Sequence, residues 1–139
     1  MAFTVELVSP EGSVFSGEAS MVVARTAEGE LGFQQGHVPF IGLLVGTGPV
    51  KVFLTDGKEL DIAVHSGFVQ VSGDVVTILS DVAEMPEQID VERARAALAR
   101  AEEVLKTSPH DEAAKAAATR ANLRLQVAGA SGRATAGAH

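Results

Sequence analysis

The chain changes its residue pattern once, near Pro86, and this change constrains the fold more than any other feature. Before Pro86, apolar and polar residues alternate in short runs rich in Val, Ile, Phe and Thr, which is typical of half-buried β-strands. After Pro86, β-branched residues become scarce, and alanines and charged residues dominate, as in amphipathic helices. The sequence therefore predicts an α+β protein, with an N-terminal antiparallel β-sandwich followed by a C-terminal α-helical hairpin.

The predicted β-sandwich occupies residues 1–85. Its clearest alternating runs are 3–8, 20–25, 50–54, 60–64, 68–71 and 75–79. Turn residues separate these runs, and Asp56-Gly57 between two of them is a strong signal for a β-hairpin. Counting the weaker runs, we expect about eight to ten short strands in this unit.

The helical hairpin is predicted for residues 86–128. Its first helix covers 89–106, with acids in the first turn and Lys106 in the last turn, as the helix dipole favours. Asp90 opens this helix, where its short acidic side chain can cap backbone N–H groups. The break at 107–111 is too short for anything but an antiparallel hairpin, and Asp111 fits the cap of a second helix that ends at Val127 or Ala128. Residues 129–139 are mostly small, and we predict that they form a disordered tail.

Alanine forms most of the surface that the two helices are expected to share. The predicted stripes are Ala94, Leu98, Ala101 and Leu105 on the first helix, and Ala114, Ala118, Ala121, Leu125 and Ala128 on the second. Because alanine buries little apolar area, such a hairpin gains modest hydrophobic free energy. We therefore expect the hairpin to detach more easily than the β unit unfolds, which is a physical basis for a switch.

Charge is distributed unevenly between the two predicted units. Residues 1–85 carry three bases against eleven acids, a net charge of −8, whereas residues 86–139 carry eight bases against seven acids, a net charge of +1. From Ala113 onward there are four bases and no acid. An acidic first unit argues against nucleic acid as a partner, since the phosphate backbone requires a basic surface.

Composition excludes several other classes of protein. The chain contains no Cys, so disulfides and cysteine-ligated metals are excluded. No apolar run approaches the roughly 18 residues of a membrane helix. The N-terminal residues lack the basic and apolar regions of a secretory signal, so a cytoplasmic location is expected.

Neither a catalytic site nor a metal site is predicted. The histidines are His37, His65, His110 and His139, and they include no i,i+4 pair. The sequence His65-Ser66-Gly67 lacks the strand–turn–helix frame of a nucleophile elbow, and there is no glycine loop of the phosphate-binding type. We therefore predict that the protein is not an enzyme.

Two stretches have the character of binding surfaces. Segment 28–40 holds five apolar side chains among three glycines, and an apolar loop with fixed turns is often an interaction surface. In the helical unit, five charged residues are spaced so that they share helix faces. They are Asp90, Arg93 and Arg100 on the first helix, and Arg120 and Arg124 on the second. Spacing alone leaves two interpretations of these charges open: a solvated surface or a binding site.

Four blocks of sequence occur together in a distinctive order. They are Val8-Ser9-Pro10-Glu11-Gly12, Gly29-Glu30-Leu31-Gly32 leading to Gly36-His37-Val38-Pro39, Ser66-Gly67-Phe68-Val69-Gln70-Val71, and Val76-Thr77-Ile78-Leu79-Ser80-Asp81-Val82-Ala83-Glu84. Together they resemble the epsilon subunit family of F-type ATP synthases, in its bacterial form. The resemblance covers residues 3 to about 127 and implies a β-sandwich followed by a helical hairpin. The chain departs from the family at Gln35, where proline is common, and in the short 107–111 connection.

The resemblance implies a mechanical role without catalysis. The β-sandwich would contact the γ subunit and the c-ring, coupling proton-driven rotation to ATP synthesis, while mobile C-terminal helices would reach the catalytic α/β subunits and inhibit ATP hydrolysis. The protein would lie at the cytoplasmic face of the bacterial plasma membrane, peripherally, through the complex. The subunit-contact positions implied are Glu30, Leu31, Gly32, Gly36, His37 and Pro39.

The resemblance also implies that no cofactor is required and that ATP binds as a regulatory ligand. The positions that match the family's ATP site are Glu84, Ile89, Asp90, Arg93, Ala94, Arg100, Arg120 and Arg124. An alternative class is a free-standing β-sandwich that binds proteins or carbohydrates. Such a module commonly uses aromatic platforms, and this chain has no Trp or Tyr.

Overall fold

The structure, a computed structural model, describes residues 2–36 and 38–137. In these residues, all the strands precede the helices, which confirms the predicted α+β order. The strands are β1 (Phe3–Ser9), β2 (Gly12–Thr26), β3 (Gly29–Phe33), β4 (Phe40–Val45), β5 (Val50–Leu54), β6 (Glu59–Ser72) and β7 (Val75–Glu84). A 3-10 turn, Pro86–Gln88, leads to helices α1 (Val91–Thr107) and α2 (Glu112–Gly137).

The strands form one sheet that closes upon itself around the core. Its order is β1-β7-β6-β4-β2-β3, while β5 pairs with both β2 and β6, and β1 also pairs with β2. The long strands β2 and β6, of 15 and 14 residues, change partners along their length, which folds the sheet into two layers. Neighbouring strands are antiparallel except for β1 and β7, which are parallel.

The strand count differs from the predicted eight to ten, because the described residues form seven longer strands. The predicted runs 60–64 and 68–71 both belong to β6, where pairing with β7 slips at two bulges instead of ending in a turn. Gly67 allows this continuity, since it has φ +152° and an added Cβ would collide with the carbonyl oxygen of Leu79.

Segment 28–40, predicted as a loop, is largely strand at its two ends. Strand β3 pairs antiparallel with β2, and Phe40 begins β4. Phe33 is fully buried, and its ring centroid lies 5.6 Å from that of Phe40. Part of the apolar content that suggested an interaction surface is therefore used by the protein's own core.

The core of the β unit follows from strand alternation. In β1, Phe3, Val5 and Leu7 are buried, while the residues between them are half-exposed. Every one of the seven strands contributes buried apolar side chains to the same cluster, and none of its buried members comes from the helices. The β unit therefore has a complete core of its own.

Both helices begin at the predicted capping residues. An Asp90 side-chain oxygen accepts a hydrogen bond from the Arg93 backbone N–H at 3.0 Å, and Asp111 does the same for Ala114 at 2.9 Å. The predicted alanine interface is present, with Ala94 and Ala101 of α1 and Ala114 and Ala121 of α2 buried. The other members of the two predicted stripes are half-buried.

Helix α2 extends further than predicted. It ends at Gly137 rather than at Val127 or Ala128, so the predicted disordered tail is corrected over residues 129–137. The stretch contains no proline that would stop the helix, and its three alanines have the highest helix propensity, although its three glycines weaken that preference. The last two residues of the predicted tail, 138 and 139, lie outside the described residues.

A second face of α2 attaches the hairpin to the β unit. Leu123 and Val127 are buried against Ala63 of β6 and against Ile89, which lies between the 3-10 turn and α1. We call this cluster of four residues the apolar seam. Sequence reasoning assigned the apolar face of α2 to α1 alone and missed this pair, although its i,i+4 spacing marks a shared helix face.

Candidate functional site

Three polar side chains meet beside the apolar seam, where α2 lies on the sheet. His65 Nε2 lies 2.9 Å from Glu84 Oε1, and Arg124 Nε donates to the same oxygen at 2.7 Å. The side chains are 5%, 28% and 30% exposed for His65, Glu84 and Arg124 respectively. This group, called here the polar triad, joins two strands of the β unit to the helical hairpin.

Strand register explains why His65 and Glu84 meet. Glu84 pairs with Ala63 across β7 and β6, so its side chain lies on the sheet face that the hairpin covers. The pairing then passes from Val64 to Ser66, leaving His65 as the extra residue of a bulge. Bulges redirect side chains, and here the imidazole reaches the Glu84 carboxylate.

Hydrogen bonds from Ser80 hold the bulge in place. The Ser80 hydroxyl donates to the Ser66 carbonyl oxygen at 2.5 Å and accepts from the Val82 backbone N–H at 3.1 Å. Ser80 is itself buried, so these bonds satisfy a hydroxyl that would otherwise be costly to desolvate. These hydrogen bonds therefore stabilise the bulged pairing that directs the His65 side chain towards Glu84.

Glu84 is ionised in this setting. Burial by itself raises the pKa of its carboxyl, but the hydrogen bonds from His65 and Arg124, with the positive charge of Arg124, outweigh that effect. The result is a pKa below the ordinary value of 4.5. At neutral pH the hairpin is thus joined to the sheet by a half-buried carboxylate–guanidinium pair.

The structure brings only some of the predicted ATP-site residues to this place. Glu84 and Arg124 form the polar triad with His65, Ile89 belongs to the apolar seam, Asp90 caps α1, and Ala94 is buried. Arg93, Arg100 and Arg120 are exposed, and no salt bridge forms at their guanidinium groups within the described part of the chain. Sequence reasoning missed this role of His65, since that residue entered only as a possible metal ligand and as part of a possible nucleophile motif.

The predicted subunit-contact segment is mostly exposed. Glu30 pairs with Arg25 across β3 and β2 at 3.1 Å, and Leu31 is half-buried. Gly36 has φ +83° in a tight turn, a conformation suited to glycine. The exposed positions of the prediction are Glu30, Gly32, Gly36 and Pro39. His37 lies outside the described residues.

An exposed apolar row crosses three neighbouring strands and was not predicted from the sequence. Leu43 of β4 pairs with Phe68 of β6, and Phe68 pairs with Leu79 of β7, so the three side chains are in register on one face. All three are exposed, Phe68 by 50%. A groove of about 510 Å³ is lined by this row, by Val8 and Pro10, and by polar residues of the neighbouring strands, among them Asp81. The signal available in the sequence was the large apolar residue at an outward-facing position of each strand, where alternation would otherwise favour a polar residue.

Neither a candidate metal site nor a candidate membrane span occurs in residues 2–36 and 38–137. Within these ranges, no three His, Asp or Glu side chains are grouped in a way that could hold a metal ion. None of the helices described there is long and apolar enough to cross a membrane.

Comparison with protein families assigns the chain. The family described as "ATP synthase, Delta/Epsilon chain, beta-sandwich domain" matches residues 2–86, and "ATP synthase, Delta/Epsilon chain, long alpha-helix domain" matches residues 87–129. The chain belongs to the ATP synthase delta/epsilon chain family. Within it, the chain is of the epsilon type, a subunit of the central stalk of the ATP synthase complex. A free-standing binding module is thereby set aside.

Curated relatives support this assignment over most of the chain. The "ATP synthase epsilon chain" of Shouchella clausii is 47% identical over 125 residues, covering 89% of this chain and 92% of that relative. The "ATP synthase epsilon chain" of Thermobifida fusca is 46% identical over 126 residues, covering 89% and 90%. Both relatives are bacterial and carry the same subunit name.

Solved structures show a similar fold. A chain of the Euglena gracilis mitochondrial ATP synthase, in a structure of OSCP, F1 and c-ring, has a TM-score of 0.70 and 26% identity, covering 91% of this chain and 79% of that one. A chain of the Tetrahymena thermophila mitochondrial ATP synthase central stalk and c-ring has a TM-score of 0.50 and 18% identity, covering 92% and 94%. The second likeness concerns the fold alone.

Proposed function

We propose that this subunit is a non-catalytic coupling and regulatory element whose hairpin moves between a docked and an extended state. Docked, the hairpin lies on the β unit as described above. Extended, it reaches the catalytic α/β subunits and inhibits ATP hydrolysis. The observation that carries the proposal is the polar triad, because it joins the mobile unit to the β unit through one ion pair beside a small apolar seam.

The attachment is weak enough to be reversible. The apolar seam contains four buried residues, against sixteen in the core of the β unit. Fully burying one Leu or Val contributes about 1.5–3 kcal/mol. With only four members, the apolar seam contributes far less free energy to docking than the core contributes to the fold of the β unit. The hairpin therefore detaches at a free-energy cost below that of unfolding the β unit.

ATP stabilises the docked state in this proposal. Arg124 uses Nε for Glu84, which leaves its other guanidinium N–H groups for phosphate oxygens. Arg93, Arg100 and Arg120 add exposed positive charge on the same hairpin. An anion relieves the repulsion among these arginines, and a ligand that binds only the docked state shifts the population towards it.

The β unit makes the contacts with the rotor. The exposed apolar row of Leu43, Phe68 and Leu79 docks on the γ subunit, since adjacent exposed apolar side chains on one sheet face are typical of a protein interface. Segment 28–40 contacts the c-ring, and the bases of α2 approach acidic loops of the α/β subunits. The complex holds the subunit at the cytoplasmic face of the plasma membrane, and nucleic acid is not a partner.

Calorimetry with ATP tests the regulatory site. We expect binding by the full chain, and we expect Arg124→Ala to weaken it about tenfold or more, because hydrogen bonds to charged groups contribute roughly 1.5–3 kcal/mol. Arg124→Lys restores little, since lysine lacks the planar fork. Arg95→Ala is the matched control, as Arg95 pairs only with Glu92 on the exposed side of α1. No ATP heat at millimolar ligand contradicts the proposal.

Inhibition is tested separately. A chain ending at Met85 retains the complete core of the β unit, so we expect it to fold, to assemble with γ and to leave ATP hydrolysis less inhibited than the full chain does. Unchanged inhibition in the reconstituted complex would show that the hairpin is not the inhibitory element.

A further inference from the structure

His65 is buried at the hairpin seam, yet nothing in the proposed nucleotide site assigns it a role. Its side chain is 5% exposed, and its Nε2 lies 2.9 Å from Glu84 Oε1. Its other ring nitrogen, Nδ1, is buried and has no hydrogen-bond partner among the described residues. The hydrogen bond from Nε2 to Glu84 is therefore the polar interaction through which this ring can act within the described residues.

The partner determines which nitrogen carries the proton. Ionised Glu84 offers only acceptors, so His65 Nε2 is the donor of this bond. In the neutral imidazole the single N–H is then on Nε2, and Nδ1 is bare; in the imidazolium both nitrogens carry hydrogen. Nε2 therefore donates to Glu84 in either protonation state.

The arrangement fixes the carboxylate of Glu84 in one orientation. Oε1 accepts from His65 on the sheet side and from Arg124 on the helix side. Oε2 receives no hydrogen bond from the described residues, and the side chain is 28% exposed. Oε1 is thus used within the polar triad. Oε2 remains able to accept a hydrogen bond from a ligand, such as an amino or hydroxyl group of a nucleoside.

We propose that His65 is a positioning residue for the nucleotide site. Through Nε2–H it orients the Glu84 carboxylate, and through Glu84 it orients the Arg124 guanidinium that receives the phosphates. The same contact strengthens docking of the hairpin in the absence of ligand. The ligand part of this inference rests on the proposed ATP binding, whereas the docking part does not.

The test compares three variants of the full chain with the wild type. His65→Ala removes the donor, and His65→Gln replaces it with an amide N–H at a similar distance along the side chain. His110→Ala is the control, because His110 is exposed at the turn between the helices. Three readouts are used: ATP affinity by calorimetry, hydrogen exchange of the α2 amides at 123–127, and nitrogen-15 NMR of the His65 ring in the wild type.

We expect His65→Ala to weaken ATP binding about tenfold, the size of one hydrogen bond to a charged group, and to speed exchange at 123–127. We expect His65→Gln to restore most of the ATP affinity and most of the protection from exchange. We expect His110→Ala to change neither quantity. The wild-type spectrum should show hydrogen on Nε2, which can be measured even if His65→Ala does not fold.

Any of three results overturns the inference. The first is wild-type behaviour of His65→Ala in affinity and exchange. The second is a His65→Gln variant as defective as His65→Ala. The third is a neutral ring protonated on Nδ1. Either of these would mean that the ring acts by packing alone. If the wild type binds no ATP, the proposed regulatory function fails, and the exchange and NMR readouts still decide whether His65 orients the polar triad.

Discussion

The β unit and the helical hairpin differ in what holds them in place. The β unit has sixteen buried apolar residues drawn from all seven strands, whereas the hairpin meets it through the four-residue apolar seam and the polar triad. We expect the first to unfold cooperatively as one core, and we propose that the second opens locally at a lower free-energy cost. In our proposal, the helical hairpin can therefore change position while the β unit stays bound to its partner subunit.

The largest expected effect is a core substitution in the β unit. Phe33 is fully buried, and Phe→Ala in a core costs about 3–5 kcal/mol, a large share of the 5–15 kcal/mol typical of a domain. We expect Phe33→Ala to lower the denaturant midpoint strongly. Phe68→Ala is the matched control, since the same atoms are removed from an exposed position. Equal losses of stability in the two variants would mean that Phe33 contributes no more to the core than the exposed Phe68 does.

A substitution in the apolar seam should separate the two units. Leu123 is buried, and Leu→Ala in a core costs about 2–5 kcal/mol; the lower end applies here because the seam has few members. We expect Leu123→Ala to undock α2, seen as a shift of the Val127 methyl resonances, while the Ile78 methyl signals of the β core stay unchanged. Leu125→Ala, at a half-buried position of the same helix, is the control. Loss of the Ile78 signals together with those of Val127 would contradict the separation.

Acid should weaken docking through Glu84. The pKa of Glu84 is lowered when the hairpin is docked, so the docked state binds fewer protons than the undocked state. Its contribution is complete above the ordinary pKa of 4.5 and is lost as pH falls through the lower value of the docked state. We therefore expect the population of the docked state to fall as the pH is lowered through this range. Methyl NMR of Val127 between pH 6 and pH 3 measures it.

The Glu84→Gln variant is the control for this acid effect. It keeps an acceptor for Arg124 but cannot titrate, so its Val127 signals should follow pH less than those of the wild type. Identical pH dependence in the two proteins would assign the effect to other carboxylates.

Local sequence signals predicted local structure well. The caps at Asp90 and Asp111 and the Asp56-Gly57 hairpin depend on residues a few positions apart, and all three are present. His65 and Glu84 are 19 residues apart, and Arg124 is 40 residues beyond Glu84. Their meeting depends on a strand bulge and on the angle at which α2 lies on the sheet. Neither leaves a periodic pattern in the sequence.

The exposed apolar row was missed for a related reason. Alternation indicates that Phe68 and Leu79 face the opposite side from Val69 and Ile78, but it does not indicate which side is solvent. Only the register across β4, β6 and β7 brings outward positions of separate strands into one patch. The family match to both parts of the chain, by contrast, agrees with the resemblance that the sequence showed over residues 3 to about 127.

The smallest expected effect on stability is at this row, where the effect on assembly should be large. Phe68 is 50% exposed, so Phe68→Ala should change the free energy of unfolding by less than about 1 kcal/mol, the span of strand propensities. Binding to the γ subunit should weaken, because a central aromatic side chain often dominates an interface. Titration calorimetry with purified γ measures binding, and denaturation measures stability. Val104→Ala is the control, since Val104 is also exposed but lies on α1. Unchanged γ affinity for Phe68→Ala would show that the rotor is held elsewhere on the β unit.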